Sequence, residues 1–169
     1  MLIFGDLKAI IRKAEPKDLA AVNHLLEQVL AVHHEGRPDL FRPNGKKYTN
    51  EELLVIFANP NTPVFVYEED GKVLGYVFCI ARTQSSGSLQ TLKTLYIDDL
   101  CVDKSARGRH IGKALFEHAK AYATENGFYN ITLHVWECNP GARVFYEALG
   151  LTPQYTAMEM ICNKTDDRG

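Results

Sequence analysis

The stretch 96–115 constrains the fold more than any other part of this 169-residue chain. An apolar run, 96–102, enters a short basic turn that carries Arg107, Gly108, Arg109, His110, Gly112 and Lys113. Ile111, Leu115, Ala119 and Tyr122 then recur at helical spacing to about Asn126, where Gly127 supplies a stop. Strand, glycine turn and amphipathic helix, in that order, make an anion site. The first N–H groups of a helix have no intrahelical acceptor, and the helix dipole adds positive potential there. Glycine lets a phosphate approach the backbone, and Arg107, Arg109 and Lys113 add charge. An ordinary strand-to-helix turn with solvated basic residues has the same pattern, and the residues alone leave both readings open.

The rest of the chain alternates in kind. Residues 9–13 read as a strand. Pro16, Lys17 and Asp18 open a helix with Leu19, Val22, Leu25, Leu26, Val29 and Leu30 at helical spacing. Residues 33–47, rich in Gly, Pro and charge, read as loop. A second helix over 50–58 is stopped by Asn59 and Pro60. Strands at 64–67 and 73–81 flank a hairpin turn at 69–72. The polar stretch 84–88 reads as a loop before a strand at 94–102. After the helix at 111–126 come a strand at 131–136, a helix at 140–149 ended by Gly150, and a last strand at 156–162. The expected fold is α/β, of the α+β type: a mixed sheet with helices on both faces. With no repeat and no linker, residues 1–169 are expected to form a single domain with its core at about 9–163.

Composition narrows the function. The chain is 46% hydrophobic and carries a formal net charge of -2. That is globular, and it gives no electrostatic footprint for nucleic acid. Cys79, Cys101, Cys138 and Cys162 are scattered without a CxxC pair, so they read as reduced, mostly core thiols. His33 and His34 are neighbours without a matching third ligand, so no metal is expected and a solvated loop is the better reading. No apolar run is long enough to cross a bilayer, and residues 1–6 lack signal-peptide character. A cytoplasmic protein without a membrane partner is expected.

Two nucleotide motifs fail against the turn. A Walker loop needs four residues between its glycine and the Gly-Lys pair, then Ser or Thr. Here Gly108 and Gly112 are separated by three, and Ala114 follows Lys113. The dinucleotide fingerprint G-x-G-x-x-G is absent. What the turn resembles is the acyl-CoA signature of the Gcn5-related N-acetyltransferase (GNAT) superfamily, Arg/Gln-x-x-Gly-x-Gly/Ala, with Arg107, Ile111 and Gly112 in place. His110 stands where that signature has its first glycine.

Asn139 reads as a helix N-cap and Pro140 as the first helical residue. Asn139, Ala142 and Tyr146 fall on one helix face. By themselves they describe a capped helix with Phe145 and Tyr146 packed in the core. In the order Asn-x-x-Ala, Phe-Tyr, Leu-Gly-Leu they resemble the second GNAT motif. The two motifs together cover residues 96–151.

The resemblance implies a single-domain GNAT fold with its sheet splayed at the fourth strand, and acetyl-CoA as co-substrate. It implies cofactor contacts from Leu100, Cys101, Val102, Arg107, Gly108, Arg109, His110, Ile111, Gly112, Lys113, Asn139, Ala142 and Tyr146. In such enzymes the backbone at the positions of Leu100 to Val102 pairs with pantetheine, an N–H near Leu100 polarises the carbonyl, and a tyrosine at the position of Tyr146 protonates the departing thiolate. A homodimer is also implied.

Acetyl transfer to an amine needs a base, because a free alkylammonium has a pKa near 10. Asp98 and Asp99 are adjacent acids in an apolar strand, so regular pleating would point them to opposite faces. Carboxylates are costly to bury unpartnered, so one is expected in an open cleft. Tyr96, Ile97, Asp98 and Asp99 resemble the Tyr-Leu-Glu-Asp of diamine (spermidine/spermine) acetyltransferases, with Asp98 in the glutamate's place. That assigns Asp98 as catalytic base or amine anchor; the residues alone equally describe two structural or exposed acids. Glu35 and Asp39, in the expected loop with Arg37, join Asp98 and Asp99 as candidates for a cationic acceptor. The expected function is acetyl transfer to a primary amine of a small molecule, polyamine-like included. The alternatives are acetylation of a protein N-terminus or lysine, and a non-catalytic acyl-CoA-binding module.

Overall fold

A computed structural model describes residues 9–163. Five strands form one sheet in the order β1-β2-β3-β4-β5: β1 Ala9–Lys13, β2 Val64–Glu69, β3 Lys72–Gln84, β4 Leu92–Val102 and β5 Asn130–Leu133. All neighbours are antiparallel except β4 and β5, so the sheet is mixed. The helices are α1 Leu19–Gly36, α2 Asn50–Ala58, α3 Ile111–Glu125 and α4 Pro140–Ala148.

Alternation along the central strands builds two apolar layers. Phe65, Val77, Cys79, Leu95 and Ile97 face Ile111, Leu115, Phe116, Ala119 and Ala123 of α3. Val64, Val66, Tyr76, Phe78 and Cys101 face Val22, Leu25 and Leu26 of α1 and Leu53 of α2. Strands covered on both faces need apolar residues at nearly every position, which residues 64–66 and 76–79 supply. Each fully buried Leu or Val contributes about 1.5–3 kcal/mol.

Four expectations need correction. Helix α1 continues through His33, His34 and Glu35 to Gly36, with the Arg37 N–H closing on the His33 carbonyl. Strand β5 stops at Leu133, short of residue 136. Residues 156–162 form no strand: they are exposed, with Met158 and Met160 nearly bare, and β5 pairs with no strand on its outer side among the described residues. The cysteines divide evenly, with Cys79 and Cys101 buried and Cys138 and Cys162 exposed. Burial pushes both buried thiols up to about 12, which suits packing and not nucleophilic chemistry.

A three-way ion network locks β1 to the start of α1. The Arg12 guanidinium donates to both oxygens of Asp18 at 2.8 and 2.9 Å, and its Nε donates to Glu68 at 2.8 Å. Asp18 is 3% exposed. Burial alone would raise its carboxyl, but hydrogen bonds from Arg12 and the Glu15 N–H outweigh that and hold it low. Arg12→Ala strands a buried charge, so it is expected to cost about 3 kcal/mol. Urea unfolding would read this as a lower midpoint at unchanged slope.

Candidate active site

The register between β3 and β4 slips by one residue at the acid pair. Phe78 lies opposite Asp99 and Cys79 opposite Ile97, which leaves Asp98 as the extra residue of a β-bulge. Beyond the bulge the facing of β4 reverses. Leu95 and Ile97 pack toward α3, whereas Cys101 packs toward α1. Asp98 and Asp99 therefore do not point to opposite faces. Both are bonded from the α1–α2 side, Asp98 by Lys47 and Tyr48, Asp99 by Tyr76.

The parallel partner gives out at the same point. β5 pairs with β4 only from Thr94 to Ile97. Among the described residues, 98–102 thus have no strand on the side where β5 lay, and their edge is open for an extended ligand to pair with. This is the splay expected at the fourth strand, with Leu100, Cys101 and Val102 along its edge.

The turn after β4 is braced from below. The Asp103 carboxylate accepts from the Ser105 N–H at 2.8 Å and from Gln28 of α1 at 3.0 Å, and Gln28 in turn accepts from the Lys104 N–H. Gly108 takes φ +78° and His110 takes φ +61°. His110 thus adopts the left-handed conformation that a signature glycine would take, and histidine is among the residues that tolerate it. Helix α3 starts immediately afterwards. Its first backbone bond from an N–H runs from Ala114 to the His110 carbonyl, so the N–H groups of Ile111, Gly112 and Lys113 find no protein acceptor among the described residues. Arg107, Gly108, Arg109, His110 and Lys113 are exposed around them.

The three cations differ in availability. Arg109 donates to both oxygens of Glu69 at 2.7 and 2.6 Å, so it tethers the turn to β2. Arg107 reaches back to the Val102 carbonyl at 3.3 Å through Nε. Lys113 makes no ion pair among the described residues.

Helix α4 closes against this turn. The Asn139 side chain accepts from the Ala142 N–H at 3.2 Å, and Pro140 is the first helical residue. Gly112 is closely packed: a Cβ there would lie 3.2 Å from the Phe145 ring, which would have to give by a few tenths of an ångström. Tyr146 packs on Phe116 and Phe145, and its hydroxyl makes no hydrogen bond within the described residues. Burial raises its pKa, and the charges of Asp99 and Cys79 add to the rise. It therefore stays protonated at neutral pH, and it feels Asp99.

The two acids sit in different electrostatic settings. Asp98 takes a hydrogen bond from the Lys47 ammonium at 2.9 Å and from the Tyr48 hydroxyl at 3.0 Å. Asp99 takes one from the buried Tyr76 hydroxyl at 2.7 Å and holds no cation directly. Burial raises the Asp99 carboxyl, the Asp98 charge adds to the rise, and Lys47, Tyr76 and His33 oppose it. Burial lowers His33 and would lower Lys47, but the two aspartates outweigh it and raise Lys47.

The other acids are not brought into this cluster. Glu35 is exposed on α1, and Asp39 is held by Arg37, which also binds Glu159. Lys47, Tyr48 and Tyr76 carry the local chemistry without having been singled out in the sequence. Tyr76 reads there as one more apolar strand residue; only the register puts its hydroxyl on Asp99. A cavity of about 630 Å³ takes in Arg12, Asp18, Glu68 and Lys72 but neither the acid pair nor Tyr146. Among the described residues no helix is long and apolar enough to cross a membrane.

Known proteins share this fold. A mutant protein from Bacillus halodurans, seen by crystallography, is 31% identical and superposes with a TM-score of 0.87 over 91% of this chain and 99% of its own. An uncharacterized N-acetyltransferase of Methanocaldococcus jannaschii is 37% identical over 105 residues, 62% of this chain. The match spans 46% of that relative, so the chain covers about half its length. An aminoglycoside N-acetyltransferase in complex with CoA is 15% identical and shares the fold at a TM-score of 0.70, over 95% of this chain and 98% of its own. The model of the acetyltransferase (GNAT) family matches residues 24–151, from α1 through both motifs, and the chain belongs to that family.

Proposed function

We propose that this protein transfers an acetyl group from acetyl-CoA to the primary amine of a small molecule, by direct attack in a ternary complex. The observation that carries the proposal is the open edge of β4, which begins at the bulge holding two carboxylates and ends at a turn with unsatisfied helix N–H groups. The residues fit the co-substrate. The N–H groups of Ile111, Gly112 and Lys113 suit a diphosphate, with Lys113 and Arg107 adding charge. The backbone of Leu100, Cys101 and Val102 suits an extended amide-bearing arm. Acetyl-CoA supplies an acyl carbon activated as a thioester. A small-molecule acceptor is supported by the fold shared with an aminoglycoside acetyltransferase.

Asp98 anchors the acceptor's ammonium, and Asp99 takes its proton. Lys47 and Tyr48 already hold the Asp98 carboxylate by hydrogen bonds. Asp99 has the raised carboxyl and no direct cation, which brings its affinity for a proton closer to what a base needs at neutral pH. The Leu100 N–H polarises the carbonyl. Tyr146 donates a hydrogen bond to the departing sulfur. Its pKa lies above that of a thiol, so it yields its proton only as it gains another.

Calorimetry with CoA and a thiol-release screen against diamines, polyamines, aminoglycosides and peptides test the reading. No heat from CoA at millimolar concentration would end it. Asp99→Asn is expected to lower kcat about 10²-fold at neutral pH. The wild-type rate should fall as pH drops through the raised Asp99 pKa, and the variant should lack that limb. The folded carboxyl binds its proton more tightly than the unfolded one, so its contribution to stability declines as pH rises through that window. The variant should therefore lose rate without losing stability. An acid limb retained in Asp99→Asn would assign the base elsewhere.

A further inference from the structure

Lys47 lies in the segment 37–49, which has no helix or strand. Its ammonium sits 2.9 Å from an Asp98 oxygen, with its side chain 31% exposed. The next residue, Tyr48, donates to that same oxygen, and its ring stacks on Phe78 of the sheet. The loop is thus pinned so that a primary amine of the chain itself rests on the bulge residue. Among the described lysines, Lys47 alone bonds either acid of the pair.

We propose that Lys47 is a self-acceptor: its side-chain amine takes the acetyl group in cis. This rests on the acetyl transfer proposed above. The place of the amine carries the inference. Asp98 is where pairing with β5 ends and the open edge of β4 begins. Two residues of extended chain, about 7 Å, separate Asp98 from Leu100. A four-carbon stem on a loop without secondary structure covers that distance by changing rotamers. An acceptor's ammonium drawn to Asp98 and Asp99 would meet the contacts that Lys47 already makes.

The step balances with the groups at hand. Asp99 takes one proton from the Lys47 ammonium and later passes it to solvent. The freed electron pair on Nζ attacks the thioester carbonyl carbon. The C–N bond forms and the C–S bond breaks, and its electron pair leaves on sulfur. The second amine proton neutralises the thiolate, with the Tyr146 hydroxyl bonded to the sulfur meanwhile. The products are an acetylated Lys47 and free CoA. Acetylation removes the cation from Asp98 and leaves its carboxylate facing the cleft for an external ammonium.

The test incubates the full chain with acetyl-CoA and no added amine, followed by intact mass and peptide mapping. One acetyl group per chain is expected on Lys47, about tenfold or more faster than on the exposed Lys46 or Lys72, since a positioned amine outruns a diffusing reagent. The rate constant should not depend on protein concentration. Gly112→Glu should remove the modification at the same acetyl-CoA concentration. Lys47→Arg, which keeps a cation on Asp98, should abolish it without moving it to Lys46. Acetylation of Lys47 at the pace of Lys46 and Lys72, or its persistence in Gly112→Glu, would mark solution chemistry and overturn the inference. CoA heat and thiol release with an external amine, while Lys47 stays unmodified, would overturn it and leave the proposed function standing. No CoA heat at all would overturn both.

Discussion

Gly112→Glu is expected to abolish CoA binding while the protein stays folded. Gly112 is the second residue of α3, and its N–H is one of three that find no acceptor among the described residues. A new Cβ would lie 3.2 and 3.4 Å from two atoms of the Phe145 ring and 3.6 Å from Val102 Cγ2. The ring must yield by a few tenths of an ångström. Phe145 is only half-buried on α4, so it can. The glutamate carboxylate then stands among the N–H groups that would hold a phosphate. There it supplies a competing acceptor and repels a second anion, although a negative charge at a helix start favours the helix itself. We expect an affinity loss of about a hundredfold or more, equivalent to about 3 kcal/mol. Gly112→Ala separates the two causes: it meets the same ring without the charge, so it should weaken binding far less. Calorimetry with CoA, paired with thermal unfolding, reads both. Unchanged affinity in the glutamate variant would remove the diphosphate from this turn.

Tyr146→Phe is expected to lower kcat about 10³-fold and to leave the CoA dissociation constant nearly unchanged. The two outcomes separate because the ring and the hydroxyl do different work. The ring packs on Phe116 and Phe145, and phenylalanine keeps that packing. The hydroxyl has no protein partner among the described residues, so its loss leaves nothing buried and unsatisfied. What disappears is the donor proposed to bond the departing sulfur. Single-turnover kinetics with a responsive amine would place the defect in the chemical step. An equal loss in binding and turnover would make the tyrosine a packing residue.

Much of the architecture was readable along the chain. Residues 9–13, 50–58 and 111–125 form the elements their spacing predicts, because periods of 2 and 3.6 report which face is buried. The expected N-cap at Asn139 and the glycine stops at Gly127 and Gly150 are in place, since capping and turn chemistry are local. The end of α1 was not readable. His33 to Glu35 carry no apolar pattern, and Gly36 lies so near Cys138, far along the chain, that a Cβ there would come 2.7 Å from its sulfur. The strand expected at 156–162 failed for the converse reason. Its alternation is strand-like, but a strand needs a neighbour to pair with, and these residues pair with no strand among the described residues.

The sequence by itself determined the order of the elements from β1 to α4, the strand, glycine turn and helix across 96–115, and the adjacent acids Asp98 and Asp99 within β4. Each of these follows from propensities and spacings within a few residues. Tertiary structure alone decided that Asp98 and Asp99 share a face, that Tyr76 bonds one and Lys47 the other, and that Arg109 is spent on Glu69. These depend on a one-residue slip between β3 and β4 and on a loop folding back across 51 residues. Register and long-range pairing are set by how the whole sheet buries its two faces, and no local pattern encodes that.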